Sequence, residues 1–81
     1  TARGSKHLRG LIAAKNEGYR CGVVFVIQRE DADSLTIQAD SDPEFANTLS
    51  QAIEEGVEAY AYTCKVSTES IQLYRSVRIN I

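Results

Sequence analysis

The sequence of 81 residues contains no methionine and no tryptophan, one proline, one histidine and two cysteines. Long hydrophobic runs are also missing: the longest apolar stretch, Val23 to Ile27, is far shorter than the ~20 residues of a membrane helix. No apolar segment of the kind found in secretory signal peptides follows the basic start. These absences argue against a membrane protein, and we expect a cytoplasmic one.

The two cysteines, Cys21 and Cys64, are too few for a disulfide framework and lack the spacing of a metal site. We expect two reduced thiols with structural roles, at the ends of different strands; a disulfide between them is the alternative. The single histidine, His7, has no CxxC or HxxxH pairing beside it, which argues against zinc. The sequence therefore indicates no cofactor within residues 1–81.

Charge is unevenly distributed along the chain, whose formal net charge is −2. Residues 1–29 are rich in Lys and Arg and contain a single acid, Glu17, whereas residues 30–58 are rich in Asp and Glu and contain no Lys or Arg. The overall charge therefore says little about partners. Two interpretations stay open: two solvated faces of different sign, or a basic surface that faces a polyanion.

Hydrophobic periodicity predicts an α/β protein with the element order α-β-α-β-β. The predicted elements are a helix over residues 5–17, a strand over 21–28, a helix between Asp42 and Gly56, and strands over 57–66 and 71–79. Residues 30–41, which are mostly polar and acidic, are predicted to form a loop. Glycines just after the helices and the Asp-Pro pair before the second are typical of helix ends. The apolar stripe of the second helix comprises Phe45, Leu49, Ala52 and Ile53.

The strand over residues 21–28 is continuously apolar, which is typical of a strand covered on both faces. A strand, a helix and a strand in succession imply a parallel pair with a right-handed crossover. The last strand is expected to fold back antiparallel as an edge hairpin. The expected result is a three-stranded mixed sheet with two helices, too few to cover both faces, and thus part of a larger sheet.

Several segments resemble the sugar fermentation stimulation protein A family, in the same order and nearly end to end. These segments are Thr1 to Leu8, Val26 to Arg29 with Asp31, Asp42 to Ala46, and Gly56 to Tyr62. The resemblance implies that residues 1–81 are a single-domain fragment, the C-terminal part of a nuclease-like domain with the restriction-endonuclease-like, PD-(D/E)xK-type fold. It also implies DNA as the partner, since family members are regarded as DNA-binding proteins linked to the expression of sugar-utilisation (maltose) genes.

The resemblance also bears on catalysis. In the family, the acids and the lysine that would hold Mg²⁺ lie on strands before the segment Thr1 to Leu8, and residues 1–81 supply no acid followed by Glu-x-Lys. The fragment alone is therefore expected not to be catalytic, and Mg²⁺ is an expectation for a full-length protein only. Two alternatives stay open: part of a Mg²⁺-dependent nuclease whose acids lie upstream, or a packing module that forms a homo-oligomer through its incomplete sheet.

The resemblance places candidate phosphate contacts on the first helix and at the end of the first strand. The candidate DNA-binding residues are Arg3, Lys6, His7, Arg9, Gln28 and Arg29. Cations at a helix N-terminus favour phosphate, because free N–H groups there already attract anions. His7 is either a partly buried, hydrogen-bonded imidazole or a functional side chain that donates to a phosphate or contacts a metal-bound water. Arg29 either contacts phosphate or forms a surface ion pair with Asp31 or Asp33.

Two other groups of residues resemble functional clusters. The acids of residues 30–44 lack the glycine and the bidentate glutamate of a calcium loop, so a solvated loop is expected there. Tyr60, Tyr62 and Tyr74 have the chemistry to stack on bases. Because small residues alternate with the tyrosines in the strand over 57–66, cross-strand packing is the favoured role.

Overall fold

A computed structural model describes residues 2–81, so Thr1 of the family segment lies outside the described residues. The elements, in chain order, are α1 (Ala2–Asn16), β1 (Gly22–Ile27), β2 (Ser34–Thr36), α2 (Pro43–Glu54), β3 (Glu58–Val66) and β4 (Ile71–Asn80). The predicted helices and the three predicted strands are all present. The predicted order is wrong in one respect, because a short strand, β2, lies in the segment predicted to be a loop.

The sheet has four strands in the order β1-β3-β4-β2, not the three expected. β2 lies parallel to β4, with Leu35 opposite Ile79. The Ile37 amide extends this contact by donating to the Asn80 carbonyl at 2.8 Å. A segment with so few apolar residues becomes a strand only because β4, more than 40 residues away along the chain, supplies hydrogen-bonding partners. β4 is therefore an inner strand rather than the expected edge.

The parallel pair and the antiparallel hairpin are both confirmed. β1 runs parallel to β3, from Gly22 opposite Glu58 to Ile27 opposite Thr63. β3 and β4 are antiparallel, and their register shifts between Thr63 and Cys64, which leaves Tyr74 as an extra residue in β4.

The core lies on one face of the sheet. α2 covers that face, since the Phe45 ring meets the Phe25 ring of β1 edge to face at a centroid distance of 6.3 Å. α1 packs beside α2. The buried apolar residues are Leu8, Ile12, Ala46, Leu49, Ala52, Val57, Ala61 and Cys64. The prediction that Ile53 belongs to the apolar stripe of α2 is wrong, because its side chain is exposed. Ala46 is buried instead.

The expectation that β1 is covered on both faces is also wrong for the described residues. Burial alternates along β1, and Val24 and Val26 are 53% and 52% exposed. Both helices lie on the opposite face of the sheet, with Phe25. β1 therefore has two apolar faces, and residues 2–81 cover only one of them.

The local signals at the helix ends are confirmed. The Phe45 amide donates to the Asp42 carboxylate at 3.2 Å, and Pro43 occupies the first turn of α2. Gly18 and Gly56 follow the two helices with φ angles of +100° and +99°, which favour glycine.

Both cysteines are free thiols, as predicted: Cys21 is half-buried and Cys64 is buried. The Cys64 thiol donates to the Ile27 carbonyl at 3.3 Å and thus joins β3 to the end of β1. Neither helix in residues 2–81 has the length and apolar character needed to cross a membrane.

Candidate nucleic-acid interface

The chain topology brings the starts of both helices and the ends of the parallel strands to one end of the molecule. Ile12, Ala52 and Val57 form one buried cluster, with Leu11 and Cys21 packed against it. The cluster thus joins the C-terminal halves of both helices to the residues just before β1 and β3. The opposite end, where α1 and α2 begin and β1 and β3 finish, is here called the carboxyl edge. Ligand sites of α/β proteins are commonly found at such an edge.

Arg3, Lys6 and His7 lie in the part of α1 nearest this edge, whereas Arg9 lies near the middle of the helix and Lys15 in its last turn. Arg3, Lys6, His7 and Arg9 are all exposed. Within residues 2–81, none of the four side chains forms a hydrogen bond or an ion pair. The first turn of α1 contains no acid. Cations therefore stand beside the positive end of the helix dipole.

His7 is exposed, which bears on one of its interpretations only, and a role in phosphate binding stays a prediction. A partly buried imidazole is excluded, since His7 lies on the solvent side of α1. Leu8 and Ile12 occupy the buried side of the same helix. His7 is therefore accessible to a ligand at the carboxyl edge.

Gln28 and Arg29 follow β1 at the same edge, and both are exposed. The Arg29 guanidinium donates to both carboxylate oxygens of Asp31, at 3.1 Å from Nε and 2.9 Å from Nη2. These hydrogen bonds and the charge of Arg29 lower the pKa of Asp31. Of the two predicted ion-pair partners, the structure selects Asp31. A phosphate at Arg29 would therefore share the guanidinium with a carboxylate or displace it.

The structure adds Arg75 and Lys65 to the carboxyl edge, neither of which the sequence indicated. Arg75 lies opposite Thr63, which in turn lies opposite Ile27, the last residue of β1. The Arg75 guanidinium donates to the Ala32 carbonyl at 2.9 Å and to the Asp33 carboxylate at 3.1 Å. These contacts fix the segment that follows Arg29. Arg75 reaches this edge through the register of β4 against β3, so only that register could have indicated its position.

Lys65 and Tyr74 form a pair on the hairpin of β3 and β4. The Lys65 Nζ atom lies 4.2 Å from the centroid of the Tyr74 ring. This cation–π contact is a cross-strand interaction of the kind predicted for the tyrosines. Tyr60 likewise interacts within the chain, since its hydroxyl donates to the Glu58 carboxylate at 2.5 Å.

Three acids near the carboxyl edge are engaged with the protein itself. Asp31 and Asp33 pair with arginines, and Asp42 caps α2. Within residues 2–81, no group of three or more His, Cys, Asp or Glu side chains is placed to hold a metal ion. The described residues therefore do not fit a divalent cation.

Comparison with known proteins gives consistent matches over the chain. The family model described as "Sugar fermentation stimulation protein RE domain" matches residues 1–70. A sugar fermentation stimulation protein homolog of Desulforamulus reducens is 49% identical over 79 residues, covering 98% of this chain and 33% of the relative. The homolog of Moorella thermoacetica is 46% identical over 81 residues, covering 100% of this chain and 35% of the relative.

A solved structure agrees with these matches. The structure of Pyrococcus furiosus SfsA in complex with Ca²⁺ superposes on the whole chain with a TM-score of 0.88 at 26% identity. The match covers 36% of the Pyrococcus chain, so the present chain spans about a third of the length of the proteins that it matches. By sequence and by structure, the chain belongs to the sugar fermentation stimulation protein family.

Proposed function

We propose that this chain contributes a phosphate-binding surface, here called the phosphate wall, to a DNA-binding protein that stimulates sugar (maltose) utilisation. The observation that carries the proposal is the exposed, unpaired set of cations at the start of α1, represented by Arg3 and Lys6. They stand beside the amino end of a helix, where N–H groups attract anions, and Gln28 and Arg29 lie at the same edge. Family membership supports the proposal.

The chemistry of the proposed wall indicates affinity rather than sequence discrimination. Lys and Arg at a helix N-terminus typically contact phosphate oxygens, which fix the position of a duplex and carry no base information. Gln28 is the one neutral amide in the proposed set, and it has the donor and acceptor needed to contact a base edge. We assign phosphate contacts to Arg3, Lys6, His7, Arg9 and Arg29.

The salt dependence of DNA binding tests this proposal. Binding of a fluorescently labelled duplex by the chain is measured over a series of salt concentrations. Replacing Arg3 or Lys6 by alanine should each reduce the slope of log K against log salt by about one unit, because one phosphate contact fewer releases fewer counterions.

Arg78→Ala is the matched control, because Arg78 carries the same charge, is exposed and forms no ion pair within residues 2–81. It follows Val77 of β4, which lies opposite Ala61 and away from the carboxyl edge. Its slope should equal that of the unaltered chain. Unchanged slopes in both Arg3→Ala and Lys6→Ala would remove these residues from the site. An equal loss in Arg78→Ala would mean that net charge alone, and no defined wall, governs binding.

A second candidate function is that this chain forms part of a metal-dependent nuclease with a restriction-endonuclease-like fold. The matching family model is described as an RE domain, and the Pyrococcus relative was solved with Ca²⁺. Because residues 2–81 do not offer a ligand set, we propose that this chain alone is not catalytic. Incubation with DNA and RNA, with Mg²⁺ or with EDTA, tests this. Metal-dependent cleavage by the 81-residue chain would contradict it.

A further inference from the structure

The connection between β1 and β2 crosses the sheet at the carboxyl edge. The sheet order β1-β3-β4-β2 places two strands between them, so residues 28–33 have to pass both β3 and β4. Because neighbouring strands lie about 4.8 Å apart, the connection spans roughly 14 Å across the sheet. Gln28 and Arg29 of the phosphate wall begin this connection. Site residues on such a segment keep one position only if the segment is anchored.

Arg75 lies where this connection passes β4. Ile27, Thr63 and Arg75 form one row across β1, β3 and β4. Residues paired across strands point to the same face, and Thr63 is fully buried on the face that the helices cover, so Arg75 lies on that face too. The Arg75 Nη2 atom donates to the Ala32 carbonyl at 2.9 Å and to the Asp33 carboxylate at 3.1 Å. One guanidinium thus holds two consecutive residues of the connection.

The Arg29–Asp31 pair does not provide such an anchor. Both side chains are largely exposed, at 70% and 71%. Exposed ion pairs of this kind contribute little, because water and salt screen both charges. The pair also joins two residues of the same connection, so it does not tie the connection to the rest of the sheet. Arg75 supplies that tie through the two residues that follow Asp31.

Arg75 also engages a carboxylate that would otherwise compete with phosphate. The Asp33 side chain is exposed, and Arg75 is its ion-pair partner. Asp33 follows Arg29 by only four residues in the sequence. Released from Arg75, a second carboxylate beside Asp31 would be free to pair with the Arg29 guanidinium. The contact with Arg75 therefore limits competition for Arg29 to Asp31.

We propose that Arg75 is a positioning residue for the phosphate contact of Arg29. By holding Ala32 and Asp33, it fixes the connection in the arrangement in which Arg29 lies at the carboxyl edge. The inference rests on the proposed function, because it assigns Arg75 to the same DNA-binding surface. Arg75 itself is not assigned a phosphate contact, since its guanidinium is engaged with the connection.

The first part of the test uses NMR without DNA. It compares the backbone order parameters of residues 30–33, and the solvent exchange of the Arg29 Nε–H proton, between the unaltered chain, Arg75→Ala and Arg78→Ala. In Arg75→Ala the order parameters should fall and the proton should exchange faster, while unchanged signals from α1 show that the fold is intact. Arg78→Ala, which removes the same charge, should alter neither. Unchanged order in Arg75→Ala would overturn the inference.

The second part is a double-mutant cycle of duplex binding. Dissociation constants are measured at one salt concentration for the unaltered chain, Arg75→Ala, Arg29→Ala and the double variant, and the effect of Arg78→Ala is subtracted as the effect of net charge. Arg75→Ala alone should then weaken binding about three- to tenfold, because binding has to order a side chain that was held before. In the Arg29→Ala background the same substitution should have almost no effect, since no guanidinium is left to position.

The possible failures have different signatures. Equal losses in both backgrounds would mean that Arg75 acts independently of Arg29, which would overturn the inference and leave the phosphate wall in place. Failure of the proposed function would instead appear as unchanged salt slopes in Arg3→Ala and Lys6→Ala. The binding part of the inference would then fall with it.

Discussion

Arg20 and Glu58 form a two-point ion pair that joins the connection before β1 to the first residue of β3. The Arg20 Nε atom lies 2.6 Å from one carboxylate oxygen of Glu58, and Nη2 lies 3.0 Å from the other. The Tyr60 hydroxyl donates to the same carboxylate. This cluster lies at the start of the parallel strands, opposite the carboxyl edge, and we expect it to make the stability of the protein depend on pH.

The first prediction concerns that sensitivity. The hydrogen bonds from Arg20 and Tyr60 lower the pKa of Glu58 from 4.5 to about 2. Because the folded-state pKa is the lower one, the stabilisation is complete above pH 4.5 and is lost as the pH falls towards 2. Thermal unfolding of the unaltered chain and of Glu58→Gln, followed from pH 6 to 2, should give curves that differ at pH 6 and converge in acid.

Glu54→Gln is the control for this prediction, because Glu54 is exposed on α2 and has the same charge without a hydrogen-bonding partner among residues 2–81. Its unfolding temperature should follow that of the unaltered chain across the whole pH range. A constant difference between Glu58→Gln and the unaltered chain, without convergence, would mean that the ion pair does not contribute to stability.

The second prediction is that Gly10→Ala stabilises the protein. Gly10 lies inside α1, and a Cβ atom built there has no neighbour within 4 Å. Alanine should therefore add about 1 kcal/mol of helix propensity. For a domain of this size the unfolding temperature should rise by about 4–8 °C.

Gly18→Ala provides the opposite result in the same measurement. Gly18 has a φ angle of +100°, so alanine is strained there although space is available. We expect a loss of more than about 1 kcal/mol. A gain at both positions would mean that glycine flexibility in the unfolded chain, and not the local geometry, controls the effect.

The third prediction concerns the hydroxyl of Ser5. Ser5 is fully buried in α1, and its Oγ atom has no hydrogen-bonding partner in the described structure. A buried polar atom without a partner destabilises the folded state, and alanine is the better helix former. Ser5→Ala should therefore leave the free energy of unfolding unchanged or raise it by about 1 kcal/mol, as measured by urea denaturation.

Thr48 offers a matched comparison for Ser5, because it is a buried hydroxyl on α2 that does have a partner. Its Oγ1 atom donates to the Glu44 carbonyl at 2.7 Å. Thr48→Val should lower the free energy of unfolding by about 1 kcal/mol. A clear loss of stability in Ser5→Ala would instead indicate that the Ser5 hydroxyl has a partner in solution, such as a buried water.

The fourth prediction follows from the Arg29–Asp31 pair and the proposed phosphate wall. Asp31 accepts hydrogen bonds from the Nε and Nη2 atoms of Arg29 and adds a negative charge at the carboxyl edge. Asp31→Asn should strengthen DNA binding and steepen the salt dependence by up to about one unit. Glu17→Gln removes the same charge after α1, away from the edge, and should have the smaller effect. Equal effects would exclude Arg29 from the wall.

Local signals were sufficient for much of the fold. Asp42, Pro43 and Gly56 marked both ends of α2 correctly, because capping depends on residues within one or two helical turns. The strand β1 was evident from its composition. Its surroundings were not: a continuous apolar run shows that both faces are suited to burial, whereas in the described residues the helices cover one face and Val24 is exposed on the other.

Long-range pairing accounts for what the sequence did not show. β2 exists because β4 aligns with it, and no pattern within residues 34–36 indicates that alignment. The same reason applies to Arg75, which reaches the carboxyl edge through the register of β4 against β3. Side chains far apart in sequence thus become neighbours only after the strands are paired.

The sequence by itself determined the family, the helix ends and the basic character of the segment that starts α1, because all three depend on short runs of residues. The tertiary structure decided that Arg3 and Lys6 share one end of the molecule with Gln28 and Arg29, and that Val24 and Val26 of β1 are exposed among residues 2–81. Those relationships depend on strand order and on the parallel direction of β1 and β3, which are set by contacts between distant segments.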